Sequence, residues 1–444
     1  MLNLLCDFAS VMATIGRVLL ALVILMFMVL IHETGHYTAG KLLGFKINEF
    51  AIGMGPKLFS RTKKNGEVIS LRMLPFGGFC AFEGENEDGS ANPQAFNSQK
   101  PWKRLIVLFS GAFFNFISAI LIAIIAFGCY GDNVAVVQNV YDYAPQANRQ
   151  LQEGDILFKI DGKRVFVLDT IGRYMKNDKE MTFEVLRPAT DDQGDTVYKS
   201  VILDGLTKET YTSTVLTKVV GKFDSVDGSA SLTTGDTIQK INDVTLSKKG
   251  AFGAIYGQLE GECDLTVLTR KGETLQFKVD ASAFKENKLV VDESQYSGIG
   301  MSVQYAAYKF DFGESLARTV PYCAETGAYV LRTLGGLITG IFAPEAENAV
   351  SISEVGGPIS TIAITSEIVG TGFANILRLI VLISVNLAVF NLLPVPALDG
   401  CQMIFVIIEW IARKPINRKV QGYINGIGLI VLIALTVLID ILKL

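Results

Sequence analysis

Half of the chain's 444 residues are hydrophobic and only 19% are charged. That is too apolar for a soluble protein of this size and too charged for one lying wholly in a membrane. The net charge of −4 speaks against a nucleic-acid partner. No P-loop is present, and Gly53-Met54-Gly55 lacks the third glycine and the βαβ setting of a dinucleotide site.

The first predicted element is an apolar helix over Val18–Leu43. It has no convincing A-x-A cleavage site, so it reads as a retained helix rather than a signal peptide. Its residues Val18–Ile31 are unbroken apolar and run into His32-Glu33-Thr34-Gly35-His36, which holds the only two histidines of the chain. On a helix, positions i and i+4 share a face, so both imidazoles can reach one ion, with Glu33 beside it to take a proton from water. Ionisable groups at membrane depth are costly, which favours a functional reading over a chance HExxH. The motif reads as a zinc hydrolase site inside a membrane.

Ile47–Phe59 and Val68–Phe82 are β-branched, aromatic and glycine-rich, which predicts a membrane-associated β-hairpin beside the active-site helix. The edge of such a hairpin could take up an unwound substrate as an added strand, though a plain connecting loop is the simpler alternative. A second apolar helix is expected over Leu105–Cys129. After it comes a polar stretch, roughly 130–310, with an internal repeat. Leu151-Gln152-Glu153-Gly154-Asp155-Ile156-Leu157-Phe158-Lys159-Ile160-Asp161 aligns with Leu232-Thr233-Thr234-Gly235-Asp236-Thr237-Ile238-Gln239-Lys240-Ile241-Asn242. The pattern is a glycine turn feeding an alternating strand that ends in a polar turn. Each copy is followed by a helical stretch and another alternating strand, Thr182–Leu186 and Asp264–Leu268. The repeat resembles two tandem PDZ domains, the second with Asp243 where the first has Gly162. Binding of an extended peptide and steric exclusion of bulky partners are both open to such a pair.

Phe310–Ile341 mixes polar and apolar residues at helical spacing, with Pro321 and Gly335-Gly336 expected to interrupt it. It is too polar to span and suits an interfacial amphipathic helix. Apolar segments resume at Ile376–Leu393, with Met403–Ala412 behind it, and at Ile427–Leu442. Basic residues crowd the segment between the first two spans and the short loop at Arg413, Lys414, Arg418 and Lys419, which places both in the cytoplasm. The polar domain and both termini then lie outside. The expected fold is a multi-pass α-helical membrane protein of about four transmembrane helices, with the β-hairpin and two inserted PDZ-like α+β domains. The expected divisions are 1–130, 131–208, 209–305, 306–375 and 376–444.

Catalytic zinc takes three protein ligands and an open position. With no further histidine, the third ligand must be a carboxylate or a thiolate. The six cysteines (Cys6, Cys80, Cys129, Cys263, Cys323, Cys401) are isolated and read as small apolar residues. Asp399 is the best candidate: it ends an apolar stretch broken by Pro394, Pro396 and Gly400, although capping the next helix is an alternative role.

His32-Glu33-Thr34-Gly35-His36 together with the Asn-x-x-Pro-x-Pro-x-x-Asp-Gly run from Asn391 to Gly400 resembles the site-2 protease family of intramembrane zinc metalloproteases. With two PDZ copies between the second and third spans, the chain looks like the bacterial sigma-E-regulating type of that family. Phe50–Pro56, Pro75–Phe79, Gly111 with Asn115, and Gly356-Gly357-Pro358-Ile359 match as well. Cys401-Gln402 and Ser110-Gly111-Ala112 depart from the common pattern without touching a ligand. The resemblance implies Zn2+ held by His32, His36 and Asp399, Glu33 as catalytic base, and Asn386 and Asn391, with Gly53 and Gly55 in the hairpin, on the substrate. It implies single-span membrane proteins as substrates, such as anti-sigma factors or remnant signal peptides, and a place in the bacterial cytoplasmic (inner) membrane in contact with the lipid bilayer. A zinc-binding membrane scaffold or carrier without hydrolysis, assembling partners through the PDZ pair, is the alternative. A pure binding site has no need of Glu33.

Overall fold

Residues Met1–Asp132 and Lys309–Leu444 form one unit, and Asn133–Tyr308 form another. The computed structural model describes the chain except residues 1, 86–91, 142–143, 167, 176–178, 221–222, 225–230, 248–249, 270–273, 344–349, 351–357 and 442–444. Gly356 and Gly357 therefore lie outside the described residues.

The apolar N-terminal run and the HExxH motif form one helix, α1 (Leu2–Leu43). The chain then turns at Gly44 and builds β1 (Ile47–Thr62) and β2 (Val68–Phe82). These strands make the expected hairpin, but the hairpin doubles back on itself. Glu49–Ile52 have partners on both sides. On one side the partners descend from Ala81 to Gly78; on the other they ascend from Val68 to Leu71. The bend falls where Gly53, Gly55 and Gly77 hold φ of +82°, +83° and +73°, a region that costs a side-chain-bearing residue energy. A Cβ on Gly53 would also sit 2.5 Å from the Leu74 carbonyl oxygen. Met54, Leu58, Phe59 and Met73 in and beyond the bend remain exposed.

The far turn of the hairpin is pinned to α1 by Glu67, which is fully buried. The Tyr37 hydroxyl and the Lys63 ammonium each donate to Glu67 Oε1 at 2.9 Å, and Lys41 pairs with Oε2. Burial alone would raise this carboxyl, but Lys41, Lys63, Asn65 and Tyr37 outweigh it and bring it from 4.5 to about 2. A depressed carboxylate contributes stability above its unfolded value, and that contribution is lost as pH falls through the folded one. The turn at 62–68 should therefore undock between about pH 4.5 and 2. Glu67→Gln should loosen it already at neutral pH, read as faster amide hydrogen exchange over β1 and β2. Unchanged exchange in the variant would contradict the docking role.

Helix α2 (Pro101–Tyr130) begins with proline at a first-turn position and ends at Gly131, φ +82°. It leads into the second unit, whose elements are β3 (Asp132–Val140), β4 (Ile156–Ile160), β5 (Lys163–Arg164), α3 (Leu168–Tyr174), β6 (Met181–Thr190), β7 (Thr196–Leu206), β8 (Glu209–Val219), β9 (Phe223–Asp224), β10 (Ser231–Leu232), β11 (Thr237–Ile241), β12 (Val244–Thr245), α4 (Ala251–Tyr256), β13 (Glu262–Leu268), β14 (Thr274–Asp280), α5 (Ser282–Lys285), β15 (Leu289–Gly298) and β16 (Met301–Tyr308). The repeat is visible in atomic detail. Asp155 Oδ2 accepts from the Gln152 amide at 2.9 Å, and Asp236 Oδ2 from the Thr233 amide at 2.8 Å. Asp161 and Asn242 both take positive φ, and their Oδ1 atoms accept from Thr182 N and Asp264 N.

Two six-stranded sheets result, ordered β16-β3-β4-β6-β7 with β5 on β4, and β14-β13-β11-β8-β15 with β12 on β11. The division expected at 209–305 thus needs correcting at its end, because β16 joins the first sheet. Ile299, Met301 and Val303 pack into the core of the first copy with Leu157, Ile160 and Phe183, which draws the strand back across. The second copy is inserted into the first rather than following it.

The chain returns through α6 (Phe312–Phe342), α7 (Pro358–Val369), α8 (Phe373–Leu392), α9 (Asp399–Ala412) and α10 (Arg418–Ile441). Helix α6 is not interrupted at Pro321 or at Gly335-Gly336. Its surroundings override local propensity. Arg318 is buried against Asp132, at 2.8 and 2.9 Å, and Ser315, Thr319 and Thr326 are buried too, while Phe312, Leu316, Val320, Leu331 and Ile338 stay exposed. A helix with polar groups inward and apolar groups outward suits a lipid-facing position. Among the described residues, four helices are long and apolar enough to cross a membrane: Met12–Leu43, Pro101–Tyr130, Phe373–Leu392 and Arg418–Ile441. Small residues let α2 approach α8 closely; Ala119, Ala123 and Ala126 share a core with Val381 and Val385. At the other end of α2, Arg104 pairs with buried Glu409 of α9 at 2.7 Å, and Arg418 of α10 completes the pair at 2.9 Å.

Candidate active site

Helical spacing puts His32 and His36 on the face of α1 that meets α2. Their Nε2 atoms are 3.0 Å apart, and both rings are buried. Asp399 stands in the first turn of α9. Its Oδ2 lies 2.9 Å from His32 Nε2 and 3.3 Å from His36 Nε2. The broken backbone between α8 and α9 delivers it. Pro394 and Pro396 end α8, Ala397 takes φ +73°, and Gly400 lets α9 pass against the carbonyls of Leu392 and Leu393, where no side chain would fit. One ligand atom from each of the three residues lies within 4.8 Å of the others. Two neutral imidazole nitrogens and one carboxylate oxygen, mostly buried, fit zinc with an open position left for substrate or water.

Helix α2 supports both rings. The Nδ1–H of His36 donates to the Val107 carbonyl at 2.8 Å, which leaves its Nε2 free for an ion. Asn115 and Asn391 each bring Nδ2 to 3.4 Å from His32 Nδ1. Between Val107 and Asn115, Gly111 leaves room for the two rings.

Glu33 lies beside this group and accepts from the Cys80 amide of β2, and the space at Gly78 borders its side chain. The residues that bring the sheet to the base are thus Gly78 and Cys80. Gly53 and Gly55 sit instead at the bend, next to Leu74. Asn386 is also placed differently from Asn391: its Oδ1 is buried without a hydrogen-bond partner, and it makes no described contact with the histidines. The Pro75–Phe79 and Gly111/Asn115 matches carried the signal for the missing neighbours, but sequence gave them no role.

A carboxylate and two histidines able to hold a metal, meeting among helices long and apolar enough to cross a membrane, are what a membrane-embedded metallohydrolase requires. Residues 20–435 match the model of Peptidase family M50, and the chain belongs to that family, the site-2 proteases. Among its relatives, the regulator of sigma E protease of Haemophilus influenzae is 25% identical, covering 96% of this chain and 98% of its own. The regulator of sigma-W protease RasP of Bacillus subtilis is 25% identical, over 96% and 97% of the two chains. The zinc metalloprotease RasP of Bacillus licheniformis is 26% identical, over 93% and 94%. The protein is therefore a zinc metalloendopeptidase of bacterial membranes, and the scaffold alternative falls away.

A Cβ on Gly111 would lie 2.5 Å from His36 Nε2 and 2.7 Å from His32 Nε2. Gly111→Ala should therefore strip the purified protein of most of its zinc. Gly128→Ala, where the same helix has open space, should not. Equal zinc in both variants would contradict the close passage of α2.

Proposed function

We propose that the protein cuts the transmembrane segments of single-span membrane proteins, using zinc held by His32, His36 and Asp399 and the carboxylate of Glu33 as base. The observation that carries this reading is the meeting of two imidazoles and one carboxylate next to Glu33, within a family of zinc peptidases. Zinc, when bound, supplies Lewis acidity that activates water and polarises the scissile carbonyl. Glu33 takes the proton from the attacking water and returns it to the departing amine. The Cys80 amide holds the base in place.

A transmembrane helix hides its peptide bonds in its own hydrogen-bond ladder, so the substrate must be unwound before it is cut. Strand addition along the hairpin sheet, whose Gly78–Cys80 stretch borders Glu33, would hold it extended. Asn391 and Asn386 would bond the freed substrate backbone, and Gly53 and Gly55 would act by bending the sheet. Glu33→Gln should abolish cleavage and keep zinc, whereas Asp399→Ala should lose both. Cleavage by Glu33→Gln, or full zinc in Asp399→Ala, would remove those assignments.

The two inserted sheets carry the glycine turn and alternating strand of PDZ domains, and no proposed ligand or base falls within them. They act as a gate against bulky outer domains. Removing 133–308, the whole unit rather than a part of either sheet, should leave zinc bound and admit substrates that the full chain rejects. Loss of cleavage of already trimmed substrates would show recruitment instead.

The basic loops belong in the cytoplasm, with the inserted unit and both termini outside the inner membrane. In a background without the native cysteines, a cysteine near Asn65 should be protected from an impermeant thiol reagent in intact cells. One near Asp192 should be labelled. The reverse pattern would overturn this orientation.

A further inference from the structure

We propose that Asn115 is the positioning residue of His32: its amide oxygen accepts the Nδ1–H of that ring and so turns an unprotonated Nε2 toward Asp399 and His36. The proposal rests on the zinc reading above. A neutral imidazole carries one N–H, and a ring that offers Nε2 to a metal must carry it on Nδ1. Two amides face His32 Nδ1, those of Asn115 and Asn391, both at 3.4 Å. With the proton on Nδ1, an NH2 group in that place would set donor against donor. The oxygen and nitrogen of an amide are told apart only by their hydrogen-bond partners. Asn115 Oδ1 is buried with no other partner, and is the acceptor available to the ring once the amide turns over.

Asn115 and Asn391 are not equivalent. Asn115 is fully buried in the middle of α2. Asn391 is half-buried near the end of α8, beside the broken backbone, and can swing toward a substrate. The stripe on α2 is regular as well. Val107, Gly111 and Asn115 are four apart on one helical face. The Val107 carbonyl already holds His36 through its Nδ1, so Asn115 does for the first histidine what Val107 does for the second. Sequence spacing alone does not reveal this, because the partner atoms lie 71 and 83 residues from their histidines.

The test uses the full-length protein in detergent, with zinc affinity measured by chelator competition and the visible spectrum of the Co2+-loaded form. Asn115→Leu, of similar volume but without an acceptor, should weaken zinc binding by about 10–100-fold and shift the cobalt spectrum. Asn115→Asp keeps an acceptor and should hold zinc close to the wild-type level. Wild-type affinity and spectrum in Asn115→Leu would overturn the proposal. So would Asn115→Asp binding as weakly as Asn115→Leu, or a comparable loss in Asn391→Leu with Asn115→Leu unaffected. His32→Ala separates the two levels: it should lose zinc, and if it does not, the ligand assignment itself is wrong.

Discussion

The close passage of α2 over α1 is the constraint on which the rest depends. At Gly35 the helices meet backbone to backbone, against the Ser110 carbonyl, and at Gly111 the backbone of α2 meets the two imidazole rings. A side chain at either position would push the helices apart. That would cost the hydrogen bond from His36 to Val107 and the contact of His32 with Asn115 together. In hydrocarbon, helices gain little from burying apolar side chains against one another, so small residues and polar contacts decide where they touch. Here the same residues that allow the contact also orient the site.

The third group arrives by a different route. Asp399 sits on backbone that two prolines and a positive-φ alanine have taken out of the helix, and such backbone survives only against protein. Gly400 fits α9 under the last carbonyls of α8, and Gly428 of α10 leaves room for Pro396. The buried Glu409, held by Arg104 and Arg418, fixes the other end of α9 between α2 and α10. Removing one partner of a buried pair leaves an uncompensated charge at a cost of about 3–5 kcal/mol. That contact holds the helix carrying Asp399 against the helix that aligns the histidines.

Much of this was legible in the sequence, and the reasons are specific. Only two histidines occur, their i,i+4 spacing fits one helical face, and the lack of a third histidine together with the Pro- and Gly-broken apolar stretch pointed to Asp399. The Gly-Asp turns of the repeat announced two copies because the buried Asp155 and Asp236 close the same turn. Contacts that depend on three-dimensional return were not legible. Nothing local to Met301–Tyr308 tells that its strand rejoins the first sheet, since that choice is made by Ile299 and Met301 fitting a core built from Leu157, Ile160 and Phe183 far earlier in the chain. The hairpin residues were recognised, but nothing local to them tells that the sheet folds back at Gly53 and Gly77 and brings Gly78 and Cys80 beside Glu33. The polar residues of α6 spoke against a span, but nothing local to them tells that Arg318 is buried against Asp132, 186 residues away.

X-ray absorption at the zinc edge of the full-length wild-type protein tests the central claim most directly, because it counts the ligand types on the metal without relying on activity. The account predicts two imidazoles and oxygen ligands at about 2.0–2.2 Å, with no sulfur shell. A zinc–sulfur distance near about 2.3 Å, or the signature of a single imidazole, would contradict it.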